Sequence, residues 1–237
     1  MGDPVGLVLQ LPPILFALTV HEVAHGLAAL RLGDPTAKLL GRLTLNPLPH
    51  LDPLGTMLLF FVGFGWAKPV PVDVRYLKHP RRDMMYIALA GPISNVILAI
   101  GFGTLVRVIA HASYDFTGRV EVALVQMVIY SVRLNLMLAF FNMIPIFPLD
   151  GSKVLAGLLP PIAAARYQTF EPMGPFLLLG IILLGSLSGV SVIGFVIGPF
   201  IRYFSHLFTG GILRRSGRRN RARRPNRPQA RRSGPGS

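Results

Sequence analysis

The chain has 237 residues, of which 51% are hydrophobic and only 14% charged, with no Cys. A soluble domain of this size carries about 25% charged residues, so composition argues against a water-soluble globular protein, and the lack of Cys excludes disulfides and thiolate metal sites. The formal net charge of +14 is concentrated at one end, where ten arginines fall between Arg214 and Arg232.

The expected organisation is one all-α polytopic membrane domain over residues 1–209, followed by a basic tail at 210–237. The tail is rich in Arg, Pro, Gly and Ser. Such a composition cannot build a core and is expected to be disordered. Attraction to anionic lipid on the cytoplasmic side suits it better than nucleic-acid binding. The first apolar run has no basic leader and no small-residue cleavage site, so no cleavable signal peptide is expected.

In chain order, the first apolar segment runs from about Val5 to Leu32. Pro12 and Pro13 either kink it or mark its true start, and Gly33, Asp34 and Pro35 stop it. Residues 36–47 alternate partly and read as a strand. Residues 51–66 are apolar but short and broken by Gly55, Gly63 and Gly65, which suits a re-entrant segment better than a full span. Residues 66–74 (WAKPVPVDV) read as extended chain, because each proline biases its predecessor away from helix.

Met84 to Ala110 is a clear span, with a seam of small residues at Ala88, Gly91, Asn95, Ala99 and Gly103 suited to close helix packing. Val120 to Met143 is a second clear span. On it, Ser131, Asn135 and Asn142 share a face at 100° per residue, and Arg133 points elsewhere. After a polar loop, residues 172–208 hold two shorter spans split near Ser186 to Ser191. The total is five spans, or six if residues 51–66 cross, with a short membrane-associated β-hairpin or re-entrant loop. The region from Arg31 to Arg82 carries eight Lys or Arg, the loop between the two clear spans one. Positive-inside reasoning puts the rich regions and the C-terminal tail in the cytoplasm.

The chemistry lies in His21-Glu22-Val23-Ala24-His25, inside the first apolar segment. Histidines four apart share one helix face. Neutral imidazoles at that spacing can bind one Zn²⁺, with the intervening glutamate placed to act on water. The chain has 6 His and 3 Glu, a composition that predicts roughly 0.002 chance occurrences of the pattern. An acid in a membrane helix also costs about 2.5–3.5 kcal/mol on insertion scales.

A catalytic zinc needs a third protein ligand. No His follows His25 until His50, and no Glu lies between Glu22 and Glu121. The soluble zincin solutions are therefore absent, which leaves His50, Asp52 and the distant Asp150. Asp150 ends the run Asn142-Met-Ile-Pro-Ile-Phe-Pro-Leu-Asp150-Gly151, which is also sound turn chemistry. From the residues alone, the choice stays open.

Four segments together resemble the site-2 protease family of intramembrane zinc metalloproteases: HEVAHG at 21–26, GWAKPVPV at 65–72, GPISN at 91–95 and NMIPIFPLDG at 142–151. The resemblance covers about residues 15–160, and resembles the compact branch without PDZ or CBS domains. It implies His21, His25 and Asp150 as zinc ligands, Glu22 as general base and proton donor, and Asn142 as a group that orients the scissile carbonyl or stabilises its oxyanion. It further implies that residues 36–46 and 66–74 meet extended substrate by strand addition. LNPLPHLDPLG at 45–55 also resembles this branch, with His50 and Asp52 as structural or gating residues more than ligands. The implied partners are transmembrane protein or peptide substrates and the lipid bilayer, in a bacterial or archaeal plasma membrane. The rival readings are a polytopic metal transporter and a scaffold that binds helices without cutting them.

Overall fold

A computed structural model describes residues 4–62, 65–112, 118–189 and 191–212. The expected disordered tail lies, from residue 213 onward, outside the described residues. Among those described, the architecture is helical with no strand. Its helices are α1 (Pro4–Arg31), α2 (Thr36–Leu39), α3 (Pro53–Val62), α4 (Pro80–His111), α5 (Arg119–Asn142), α6 (Asp150–Leu158), α7 (Pro161–Gln168), α8 (Gly174–Ser188) and α9 (Val192–Phe208).

Four stretches are long and apolar enough to cross a bilayer: Leu9–Arg31, Pro80–His111, Val120–Asn142 and Pro161–Gly185. The shorter apolar α9 has 17 residues. Among the described residues, four spanning stretches and this shorter apolar helix make a polytopic helical membrane protein, where five spans were expected. The break between the last two falls at Gly189, in the left-handed conformation at φ 70°, within the stretch foreseen for it. α1 runs unbroken through Pro12 and Pro13.

α4 is the central pillar and packs against α1, α5 and α6. Its small-residue seam is why. Ala88, Gly91, Asn95, Ala99 and Gly103 are all buried. In lipid, apolar surface gains little by leaving its surroundings, so helix association rests on close packing and interhelical hydrogen bonds. Gly103 shows the scale of the fit, since a Cβ there would lie 2.8 Å from the Phe208 Cβ. That absence of a side chain seats α9 against a core of Ala99, Val106, Val132 and Leu136, flanked by Phe102, Phe140 and Phe204.

The segment between α1 and α4 corrects one expectation. Residues 36–47 form no strand; they make the single turn α2 followed by irregular chain. Local hydrogen bonds win over alternation here. The buried Asp34 carboxylate accepts the Thr36 amide at 2.9 Å, and the turn ends at Gly41, whose φ is +65°. Strand addition along 36–46 therefore has no strand to build on. The hairpin reduces to one antiparallel bridge, Leu51 to Ala67, plus Lys68 N donating to His50 O at 2.8 Å. Pro69 and Pro71 have no N–H to extend a ladder.

α3 agrees with a non-spanning segment. Its 10 residues cover about 15 Å, against the ~30 Å of a hydrocarbon core. Asp52 starts it by accepting the Gly55 amide at 2.8 Å.

Candidate metal centre

Three elements bring the site together. α1 carries His21 and His25 one turn apart. α5 ends at Asn142, and the turn Met143–Leu149, with a cis Phe147–Pro148 bond, returns the chain so that α6 begins at Asp150. That return is tight. A Cβ on Gly151 would overlap the Met143 carbonyl oxygen and lie 2.6 Å from that of Ile144.

The side chains of His21, His25 and Asp150 converge and are buried, with one ligand atom from each lying within 4.8 Å of the others. Both imidazole Nε2 atoms lie 3.2 Å from the same Asp150 Oδ2 and 3.0 Å from each other.

The far sides of the rings define what these atoms are. His25 Nδ1 lies 2.7 Å from the Ile87 carbonyl oxygen, which can only accept, so Nδ1 carries the proton. His21 Nδ1 lies 2.6 Å from Asn95 Oδ1. The Asn95 amide is oriented by its own donations, to Asn135 Oδ1 at 2.9 Å and to Ala17 O at 3.3 Å. Asn135 in turn donates to Ser131 O at 2.9 Å. Both Nε2 atoms are thus lone-pair donors in neutral imidazoles. Two of them and a carboxylate oxygen facing one another at 3.0–3.2 Å make a site for a cation.

The spacing suits zinc. Roughly 2.0–2.1 Å bonds in a tetrahedral site put ligand atoms about 3.3 Å apart.

Gly91 makes the approach of α4 possible. A Cβ there would fall on His25 Nε2 and lie 2.6 Å from His21 Cε1. Gly91 and Asn95 read from the sequence as packing residues. In the structure one admits the imidazoles and the other holds His21. The Asn-Asn-Ser chain was hinted at only by the shared polar face on α5.

Glu22 faces a different neighbour. Its Oε2 accepts the backbone N–H of Val70 at 2.9 Å, within the extended segment 66–72. That segment is also clamped by the buried Arg42, which donates to Lys68 O at 2.7 Å and to Pro69 O at 3.2 Å. Asn142 is half-buried, and its Nδ2 donates to Leu138 O at 3.0 Å, back along its own helix. His50 and Asp52 stay outside the three-residue cluster. His50 Nε2 donates to Thr44 O at 3.0 Å, and Asp52 caps α3.

The fold and site thus define a polytopic helical membrane protein with a buried cluster of two histidines and one aspartate. "Putative zinc metalloprotease YwhC" of Bacillus subtilis is 43% identical over 176 residues, covering 73% of this chain and 80% of that protein. "Putative zinc metalloprotease Rip2" of Mycolicibacterium smegmatis is 30% identical over 162 residues, 62% of this chain and 56% of that protein. "Putative zinc metalloprotease MJ0611" of Methanocaldococcus jannaschii is 44% identical over 102 residues, 43% of this chain and 49% of that protein. No family model and no solved structure matches the chain. The chain belongs to the family of these metalloproteases, the site-2 protease family.

Proposed function

We propose that this chain is a zinc metallopeptidase that hydrolyses peptide bonds in or near transmembrane helices, as in regulated intramembrane proteolysis. The observation that carries the reading is the meeting of three electron-pair donors: His21 Nε2 and His25 Nε2, on a helix long and apolar enough to span a bilayer, and Asp150 Oδ2 at the start of the short α6.

His21, His25 and Asp150 hold the metal. Zinc held there would supply a water of lowered pKa and a Lewis acid for the scissile carbonyl. Glu22, one residue along from His21, takes the proton from the attacking water and returns it to the leaving amine. To do so its carboxylate must part from the Val70 amide. Asn142, at the mouth of the turn that delivers Asp150, uses its side-chain amide to orient the scissile carbonyl once it leaves Leu138 O. A substrate helix must unwind to present that carbonyl, because no lipid group replaces its lost hydrogen bonds. The partners are accordingly transmembrane proteins or peptides. The enzyme sits in a plasma membrane with its basic tail in the cytoplasm, against anionic lipid and not nucleic acid.

The test is zinc content and cleavage of a transmembrane substrate by the detergent-purified protein. Stoichiometric zinc is expected, with Glu22→Gln retaining it but failing to cleave, and with zinc lost from a folded Asp150→Ala. No zinc in folded wild type after resupply would sink the reading. Metal uptake that survives Glu22→Gln would favour a transporter, and helix binding without cleavage would favour a scaffold.

A further inference from the structure

The outward faces of the membrane helices are almost wholly apolar. On α4 the exposed side is built from Ile93, Ile97, Ile100, Leu105 and Val108, and α8 shows Phe176, Leu177, Leu183 and Leu187. The exposed Arg107 of α4 and Arg202 of α9 lie near their helix ends, four residues from His111 and six from Phe208, whereas α5 carries its polar groups deeper. Gln126 and Arg133 are exposed and Tyr130 is half-buried. At 100° per residue these three fall within about 60° of one another, on one stripe. None of them has a hydrogen bond or ion pair with another described residue. The buried residues Val132, Asn135 and Leu136 take up the inward side of the same helix, so the stripe faces away from the metal cluster.

The depth of Arg133 makes this costly. It is fourteen residues from Arg119 and nine from Asn142 on α5, so about 21 Å of helix lies on one side and about 13–14 Å on the other. Helical side chains lean toward the N-terminus, which turns the guanidinium into the longer stretch. Snorkelling to a phosphate would have to cover more than the side chain's own length in either direction. An ionised group at this depth persists where something of opposite charge meets it.

We propose that this stripe is a docking face for a second transmembrane helix, one that carries an Asp or Glu at mid-bilayer depth. The carboxylate would take the Arg133 fork, and Tyr130 and Gln126 would hydrogen-bond further along the same partner. A second copy of this chain does not supply that acid. Among the described residues, Glu22 is held by Val70 N, Asp83 by His79 N and Asp150 by the two histidines, and the remaining acids lie in loops or at helix ends, the exposed Glu171 in the turn just before α8 and not at mid-bilayer depth. The partner is therefore a different protein, and it lies along α5 outside the catalytic cleft.

The probe is a synthetic Leu/Ala transmembrane peptide with one central Glu, together with its Gln twin. Association with the labelled full-length protein is measured by energy transfer in phosphatidylcholine vesicles, without any reference to proteolysis. The Glu peptide is expected to bind roughly tenfold tighter than the Gln peptide. The preference should vanish in Arg133→Leu and turn toward an Arg-bearing peptide in Arg133→Glu. Equal binding of both peptides, or a preference that survives Arg133→Leu in protein of unchanged melting temperature, would overturn the proposal. So would a preference for phosphatidylglycerol that depends on Arg133 with no peptide binding, which would make a lipid phosphate the occupant.

Discussion

The two halves of the His21–His25 motif are held in different ways. Each imidazole is fixed from behind by a buried partner on α4, and one of those partners is fixed again by α5. Glu22 rests on a single amide from a proline-flanked segment that belongs to no helix. Ligands gain from rigidity, because metal affinity depends on pre-set tautomers and angles. A base gains from freedom to exchange partners, because it must take up a proton and give it back. On the proposed reading, the fold thus places the candidate ligand atoms on its best-packed elements and leaves the carboxylate of Glu22 facing a strap.

The hardest blow to the rigid half is Gly91→Ala. The new Cβ would collide with both imidazoles, which pack too closely against α4 to move aside together. A fall in zinc affinity of roughly 100-fold or more is expected, measured by competition with a chelator. Retention of wild-type affinity in the folded variant would mean that α4 does not set the ligand geometry.

Next in size is Asn95→Ala. It leaves His21 Nδ1–H and Asn135 Oδ1 without their shared partner in a buried site. The stability cost is about 1–3 kcal/mol, and zinc affinity should drop about 10- to 100-fold. A loss of stability with unchanged affinity would reduce Asn95 to a packing residue and break the contrast.

Much of this was legible in the sequence. The motif at 21–25 fixes a helix because its spacing has meaning only on one, and apolar length gives the spans. The pairing of Asp150 with the histidines was carried by family resemblance, since 125 residues of chain separate it from His25 and no local periodicity encodes such a contact. Asn95 was read as part of a seam, because on a helix a small polar residue packs like a small apolar one until its partner is visible. The strand expected at 36–47 failed for a local reason. Its alternation is weak, and the buried carboxylate of Asp34 captures the Thr36 amide and, at 2.8 Å, that of Asp73. That ties both ends of the loop to the foot of α1 with no ladder.

The loose half is probed by Arg42→Met. Methionine keeps most of the side chain's apolar bulk but donates no hydrogen bond to Lys68 O or Pro69 O. Two charge-assisted bonds of about 1.5–3 kcal/mol each are lost locally, and the strap should open more often. Faster hydrogen exchange at the Val70 amide is expected, with zinc affinity unchanged. Faster zinc release or weaker zinc binding would show that the strap supports the ligands as well as the base.

The finest distinction lies between Glu22→Gln and Glu22→Ala. Both remove the proposed general base and should abolish cleavage alike. Glutamine still offers a carbonyl oxygen to Val70 N, so the amide should stay protected, at about half the strength of a bond to a carboxylate. Alanine offers nothing, and Val70 should exchange at the rate of an exposed extended segment. If the two variants exchange alike, the Val70–Glu22 bond does not hold the strap, and Arg42 with the Lys68–His50 contact does so alone. If they differ, the base itself is the latch, and whatever draws Glu22 toward water also frees the segment that lies over it.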